Sequence, residues 1–205
     1  MGLRGRPRSF DRDRALQVAL DTFWRKGYDL TQVADLTEAI GINPPSFYAA
    51  FGSKEAAFRE AVELYLRTVG SKTIYVLEQS PVVEEAVRGM LAESINASLA
   101  GPSGGCLLIL GVIHRTPDNA PLCEWLERIR QSNVDSIHAR LQRAVDEGEL
   151  ACDTDVHGLT HFLATVLQGL SLRARDKASR GDLEAAVDVA MGLFATLAKP
   201  GRKLR

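Results

Sequence analysis

The amino-acid sequence predicts an all-α protein: a three-helix N-terminal domain joined to a larger helical C-terminal domain. Three observations carry this. No stretch alternates apolar and polar residues at the period of a half-buried strand; apolar residues recur instead at spacings of three and four along almost the whole chain. Glycine, proline and Asn/Asp/Ser fall between those stripes, where helices start and stop. Thr31 to Lys54 reads as two short helices set at an angle by a glycine turn, with a third beginning at once. At 205 residues, 45% hydrophobic and 25% charged, the chain suits one or two small domains with ample material for a core.

Residues 1–10 predict a flexible basic arm. Arg4, Arg6 and Arg8 are interleaved with glycine and proline, a composition that buries too little apolar surface to fold alone. Arg-Gly-Arg-Pro-Arg is also similar to the core of an AT-hook, in which an extended strand lies in a narrow A·T minor groove. An ordinary basic tail has the same composition, and either one adds attraction to phosphate.

From Asp11 to Lys26, the residues Ala15, Leu16, Ala19, Leu20 and Phe23 trace one helical face, and Gly27 ends the helix. Thr31 is placed to cap the next, with Val33, Leu36 and Ile40 inward; Gly41 stops it in the left-handed conformation that glycine takes without cost. Asn43 is placed to cap a second short helix by accepting the N–H of Ser46. Pro44 and Pro45 fit there because the first helical N–H groups have no partner within the helix. Phe47 and Phe51 face inward, which turns side chains between them outward. Two helices joined in this way form a helix-turn-helix, whose second helix is built to enter the DNA major groove. The spacing alone also occurs in helical proteins that never meet DNA.

The residues themselves narrow the reading. Gly27 to Phe58, with Thr31, Gly41-Ile42-Asn43, Phe47-Tyr48, Phe51 and Lys54-Glu55 in place, resembles the DNA-binding domain of the TetR family of transcriptional regulators. Beyond that stretch only the helical layout and the length are similar. The resemblance implies a DNA-binding domain over 11–58, a helical regulatory and dimerisation domain over 59–198 and a basic tail over 199–205. It implies DNA contacts at Thr31, Asn43, Pro44, Pro45, Ser46, Tyr48 and Lys54, with Thr31, Tyr48 and Lys54 on phosphates and the others at base edges. It further implies a cytoplasmic homodimer on a palindromic double-stranded operator, most simply a repressor released by a small-molecule effector.

Charge is distributed to match. The whole chain carries −1, yet residues 1–30 hold seven Arg/Lys against four Asp, which is +3 and leaves −4 for the remainder. A positive end on an acidic body presents one face to phosphate.

The second half predicts longer helices. Ser53 opens one through Phe58, Ala61, Val62, Tyr65, Leu66 and Val69 that continues to about Leu77, before Ser80-Pro81 breaks it. Five more follow: Pro81 to Leu99; an apolar buried helix from Cys106 to His114; Pro121 to Gly148; a helix capped by Thr154 or Asp155 and running to Ala178; and one capped by Asp182 and reaching Ala198. The last two carry small residues among apolar ones, which permits close approach and a four-helix bundle across a two-fold axis. Leu163, Leu167, Leu170, Val187, Met191 and Phe194 are the candidate dimer contacts; packing within one chain is the alternative use of the same stripe.

For the effector, the resemblance implies a cavity lined by Met90, Ile95, Cys106, Leu110, His114, Trp125, Phe162 and Val166, all of which also suit plain core. His157 and His161 stand at metal-ligand spacing on one helical face, with Cys152, Asp153 and Asp155 nearby, although such pairs are common on amphipathic helices and no metal or cofactor is expected. An enzyme reading finds little support. Cys106 and His114 lie about 12 Å apart along a helix, too far to pair, and no Gly-rich phosphate loop, G-x-S-x-G or H-E-x-x-H occurs. An all-α interaction protein without DNA remains the rival reading. No apolar run is long enough to cross a membrane, and three widely spaced cysteines fit reduced thiols.

Overall fold

The computed structural model describes residues 10–197, with the side chain of Leu197 left out; the arm arginines Arg4, Arg6 and Arg8 and the tail lie outside the described residues. Ten α-helices and no strand occur among the described residues.

Helix α1 (Arg12–Lys26) begins where the Asp11 carboxylate accepts the N–H groups of Asp13 and Arg14, and it ends at Gly27, whose φ of 77° is costly for any other residue. Helices α2 (Val33–Ile40) and α3 (Pro44–Phe51) are joined through Gly41, left-handed at φ 77°, and Asn43 accepts the N–H of Ser46 as the sequence predicts. The cap of α2 differs from expectation. Gln32 takes that place and its N–H reaches the Asp35 carboxylate, while the Thr31 hydroxyl turns back to donate to the carbonyl of Gly27 at 2.6 Å.

The long helix expected from Ser53 to Leu77 is two. Helix α4 (Lys54–Tyr65) passes into a π-turn over Leu66–Gly70, and α5 (Lys72–Gln79) then leaves in register with a different partner. The cause is Tyr65. Its buried ring lies against residue 70, where a side chain would come within 2.6 Å of it, so glycine and one widened turn let the ring stay inside while the chain is re-aimed.

Helix α6 (Val83–Ala100) starts two residues later than expected. Arg140, 3% exposed, holds Glu149 at 3.0 Å and reaches the carbonyls of Ser80 and Pro81, pinning this start to the end of α8 (Ala120–Asp146). Helix α7 (Leu107–Leu110) is one turn, far shorter than Cys106 to His114. Gly111 closes it, and the chain then runs out to an exposed His114. Asp155 caps α9 (Val156–Arg175). The last helix, α10 (Arg180–Leu197), is capped by Ser179, with Asp182 reaching back to it from inside the first turn rather than capping.

Packing divides these helices into two cores. The first gathers α1 to α4, including Phe23, Trp24, Phe47, Phe58 and Tyr65, together with Leu107 and Leu108 of α7 and Leu122 and Leu126 of α8. The second gathers α5, α6, the C-terminal half of α8, α9 and α10. Helix α7 thus belongs by sequence to the second half and by packing to the first.

Candidate nucleic-acid interface

The N-terminal core fixes α3 by two aromatic anchors. Phe47 and Phe51 are buried with ring centroids 5.2 Å apart, and the opposite face carries Asn43, Pro44, Pro45, Tyr48 and Ala49 exposed and Ser46 half-buried. That outward set is small, mostly uncharged and free of bulk that would hold DNA away. The Asn43 side-chain oxygen accepts the Ser46 N–H at 2.9 Å, which leaves its second lone pair and the amide N–H2 for a base edge.

Two residues assigned to phosphates sit differently. Thr31 is fully buried and its hydroxyl is spent on Gly27, so its side chain is a staple within the domain and cannot meet DNA. Lys54 lies 4.1 Å over the Tyr28 ring and donates to the carbonyls of Tyr28 and Thr31, each at 3.1 Å. It clamps the α1–α2 loop to the start of α4, with one ammonium proton left to offer. Tyr48 is half-exposed, its ring edge-on to Phe47 at 5.7 Å. Among the basic residues of α1, Arg12 is committed to Glu60 and Lys26 to Asp35, the latter bond holding the Asp35 carboxyl below its ordinary range. Arg14 and Arg25 are exposed and have no carboxylate in ion-pair range among the described residues, which leaves them to supply the positive field.

The N-terminal domain is also tied to the rest through groups that sequence periodicity does not flag. Trp24 Nε1–H donates to the Gly105 carbonyl at 2.8 Å, the Tyr28 N–H to the Gly111 carbonyl at 2.7 Å and the Asn119 side-chain amide to Asp29 at 3.0 Å. Arg175 of α9 reaches the carbonyls of Gly104 and Trp24, and Arg59 of α4 lies 4.8 Å over the Trp125 ring of α8. The Tyr65 hydroxyl donates to Cys106 Sγ at 3.2 Å; burial pushes both the tyrosine and the thiol up from their ordinary values. None of these pairs is near in sequence, which is why only folding brings them together.

The expected effector lining does not converge. Met90 and Ile95 are sealed in the second core, Leu110 is buried, His114 is exposed and Trp125 sits under Arg59. Phe162 and Val166 face an apolar cleft of about 540 Å³ between α9 and α10, and Cys106 borders a separate small cavity between α7, α8 and α9. The expected dimer contacts need the opposite correction. Leu163, Leu170, Val187, Met191 and Phe194 are buried inside the chain, at 5% exposure or less, and Leu167 lines the small cavity. They hold α9 and α10 to the core; among the described residues the large apolar side chains that α9 and α10 leave outside are Leu172, Val189 and Leu193. An amphipathic helix spends its strongest stripe on its own core first.

His157 and His161 are both exposed, with ring centroids 4.5 Å apart, and among the described residues no group of three metal-ligating side chains includes them. No described helix is long and apolar enough to cross a membrane.

Comparison with known proteins agrees with this geometry. The family described as "Bacterial regulatory proteins, tetR family" matches residues 15–61, and "Tetracyclin repressor-like, C-terminal domain" matches residues 84–190. The chain is 32% identical over 200 residues to the HTH-type transcriptional repressor ComR of Escherichia coli K12, covering 96% of this chain and 94% of that protein. It is 32% identical over 196 residues to the repressor BdcR of the same strain, covering 94% and 93%. Among solved structures, a cysteine mutant of the TetR family regulator CifR, complexed with 26-bp double-strand operator DNA, superposes with a TM-score of 0.86 at 42% identity, covering 92% of this chain and 100% of that one.

Proposed function

The chain belongs to the TetR family of bacterial transcriptional regulators, and from that premise we propose that it is a homodimeric repressor that reads a partly palindromic operator and is released by a small molecule. The observation that carries the reading is α3: anchored by Phe47 and Phe51, capped by Asn43 and presenting an unobstructed outward face. Two such helices must be held one DNA turn apart, about 34 Å, which requires a dimer. The cleft between α9 and α10 suits that role, with Val189 76% and Leu193 46% exposed beside Ala186 and Gly169, small enough for close helix approach. The protein acts in the cytoplasm as a binding module and not as an enzyme.

Base readout is economical. Without Arg, Lys or Gln on the outward face of α3, it rests on Ser46, the Asn43 amide, and contact of Pro44, Pro45 or Ala49 with thymine methyls, with Tyr48 and one proton of Lys54 on phosphates. Residues 11–58 form the reading domain and 59–198 the regulatory one.

Selection of bound fragments from random double-stranded oligonucleotides tests this. A two-fold symmetric motif should be enriched, and its affinity should fall steeply with salt. Absence of any enriched sequence overturns the proposal.

A further inference from the structure

The small cavity between α7, α8 and α9 holds about 70 Å³ and is lined by Cys106, Ile109, Ala164, Leu167, Asn133 and Arg130. Its wall is apolar except on one side. There Arg130, Asn133 and Gln168 face it, and through Arg130, Val134 and Gln168 it opens into a shallow polar recess on α8.

The charge balance of this opening is uneven. Arg130 Nη1 donates to the Leu108 carbonyl at 2.6 Å, but Nε and Nη2 have no acceptor, and no carboxylate lies in ion-pair range of the guanidinium, among the described residues. The two carboxylates of the recess, Glu124 and Glu127, are both taken by Arg115, at 2.8 and 3.1 Å. Arg128, on the same rim, is exposed and likewise has no carboxylate partner among the described residues. Neither amide, Asn133 or Gln168, makes a side-chain hydrogen bond among the described residues. A half-buried guanidinium with open donors, two idle amides and an apolar pocket behind them form a receptor for one negative charge on a short hydrocarbon body.

We infer that this cavity binds a small organic carboxylate, with Arg130 and the Asn133 and Gln168 amides on the carboxylate and the tail against Ile109, Ala164 and Leu167. A planar guanidinium fork matches a carboxylate, and a single uncompensated arginine suits a monoanion. The inference rests on the effector-released reading above and gives that effector a chemical class and a place.

The cavity lies at the seam of the two cores. Leu108, whose carbonyl Arg130 holds, packs with the N-terminal core, whereas Ile137 on the far wall packs with the second. A carboxylate seated on the open Nε and Nη2 draws the guanidinium toward itself and away from the carbonyl that Nη1 holds. Taking Arg130 from Leu108 loosens α7, and with it the Gly111 carbonyl that holds Tyr28. Acid and operator should then oppose each other, each weakening the other by the same factor.

Calorimetric titration of the full-length protein with propanoate tests this, with propanamide as the uncharged control and Arg130→Gln and Ala164→Leu as variants. Ala164→Leu fills the cavity and leaves Arg130 in place, so it separates loss of the site from loss of folding; melting curves of all three proteins are taken alongside. The expected result is saturable one-site binding of propanoate, weakened about tenfold or more in each variant, with propanamide at least as weak. No propanoate binding up to about 10 mM, equal binding of acid and amide, or unchanged binding in a folded Ala164→Leu variant overturns the site. Operator affinity is measured with and without propanoate. A fall supports the coupling, no change overturns it, and failure to bind operator even without acid counts against the regulator reading and leaves the acid titration to be judged by itself.

Discussion

The backbone N–H of Tyr28 donates to the carbonyl of Gly111 at 2.7 Å, and this one bond joins the loop that ends α1 to the loop that ends α7. Together with the Trp24–Gly105 and Asn119–Asp29 bonds it holds the DNA-reading helices on the regulatory body, and both of its groups sit at turns that contain a glycine. A Cβ on Gly111 would stand 2.4 Å from the Leu107 carbonyl and 3.2 Å from the Phe58 ring.

Gly111→Ala should therefore destabilise by about 1–3 kcal/mol, the usual penalty for overpacking a closed site. Differential scanning calorimetry checks it, and operator affinity should fall further than the stability loss explains. A melting temperature equal to that of the unchanged protein would mean that the turn yields freely.

Val189→Glu places a charge on the exposed apolar face of α10, and we expect monomers with full helix content and no specific operator binding. Phe194, fully buried beneath that face, behaves otherwise: Phe194→Glu should unfold the second core, at a cost of about 4 kcal/mol or more. Light scattering with circular dichroism distinguishes the two outcomes. A dimeric Val189→Glu protein would move the interface off α10.

Lys54 and Tyr48 should separate stability from contact. Lys54→Met removes two hydrogen bonds to carbonyls and the contact with the Tyr28 ring, so it should lower the stability of the N-terminal domain by about 1–2 kcal/mol as well as weaken DNA binding. Tyr48→Phe keeps the ring on Phe47 and should weaken all DNA sequences by a similar factor with no change in melting temperature. Equal melting temperatures for both variants would reduce Lys54 to a surface charge.

Deleting residues 1–8 removes Arg4, Arg6 and Arg8, and the salt dependence of operator binding should flatten by about 0.9 in log–log slope for each arginine that displaced a counterion. If the arm occupies a minor groove, operators with A·T flanks lose most. Equal losses on A·T- and G·C-flanked operators would leave the arm as a plain phosphate tether.

Two of the thiols should differ in reactivity. Cys152 is exposed; Cys106 is pushed up by burial, against which the hydrogen bond from Tyr65 works only in part, so near neutral pH it stays a thiol. Alkylation followed by mass spectrometry at pH about 7.5 should label Cys152 first and Cys106 slowly, since the thiolate is the nucleophile. Raising the pH should speed Cys106 over a higher range than an ordinary cysteine. Labelling of Cys106 as fast as Cys152 would mean that the Tyr65 contact opens readily.

The reading helix was legible in the sequence because its determinants are local: Gly41 for a left-handed turn, Asn43 for a cap three residues from the N–H it accepts, and Phe47 and Phe51 one helical turn apart. The same holds for the number and order of most helices, each announced by its own apolar stripe and its own stop. Tertiary structure decided what each stripe was spent on. Periodicity marks Leu163, Met191 and Phe194 as facing something, but not whether that is their own chain or another, and here it is their own. It marks Thr31 and Lys54 as special without saying that one is sealed inside and the other clamps a loop. The break of the long helix at Leu66–Gly70 follows from the ring of Tyr65, and α7 ends after one turn where Arg130 takes the Leu108 carbonyl. Each of these depends on groups far apart in the chain or on a ring crossing a neighbouring turn, and a spacing rule that compares a residue only with those three or four positions away carries no information about them.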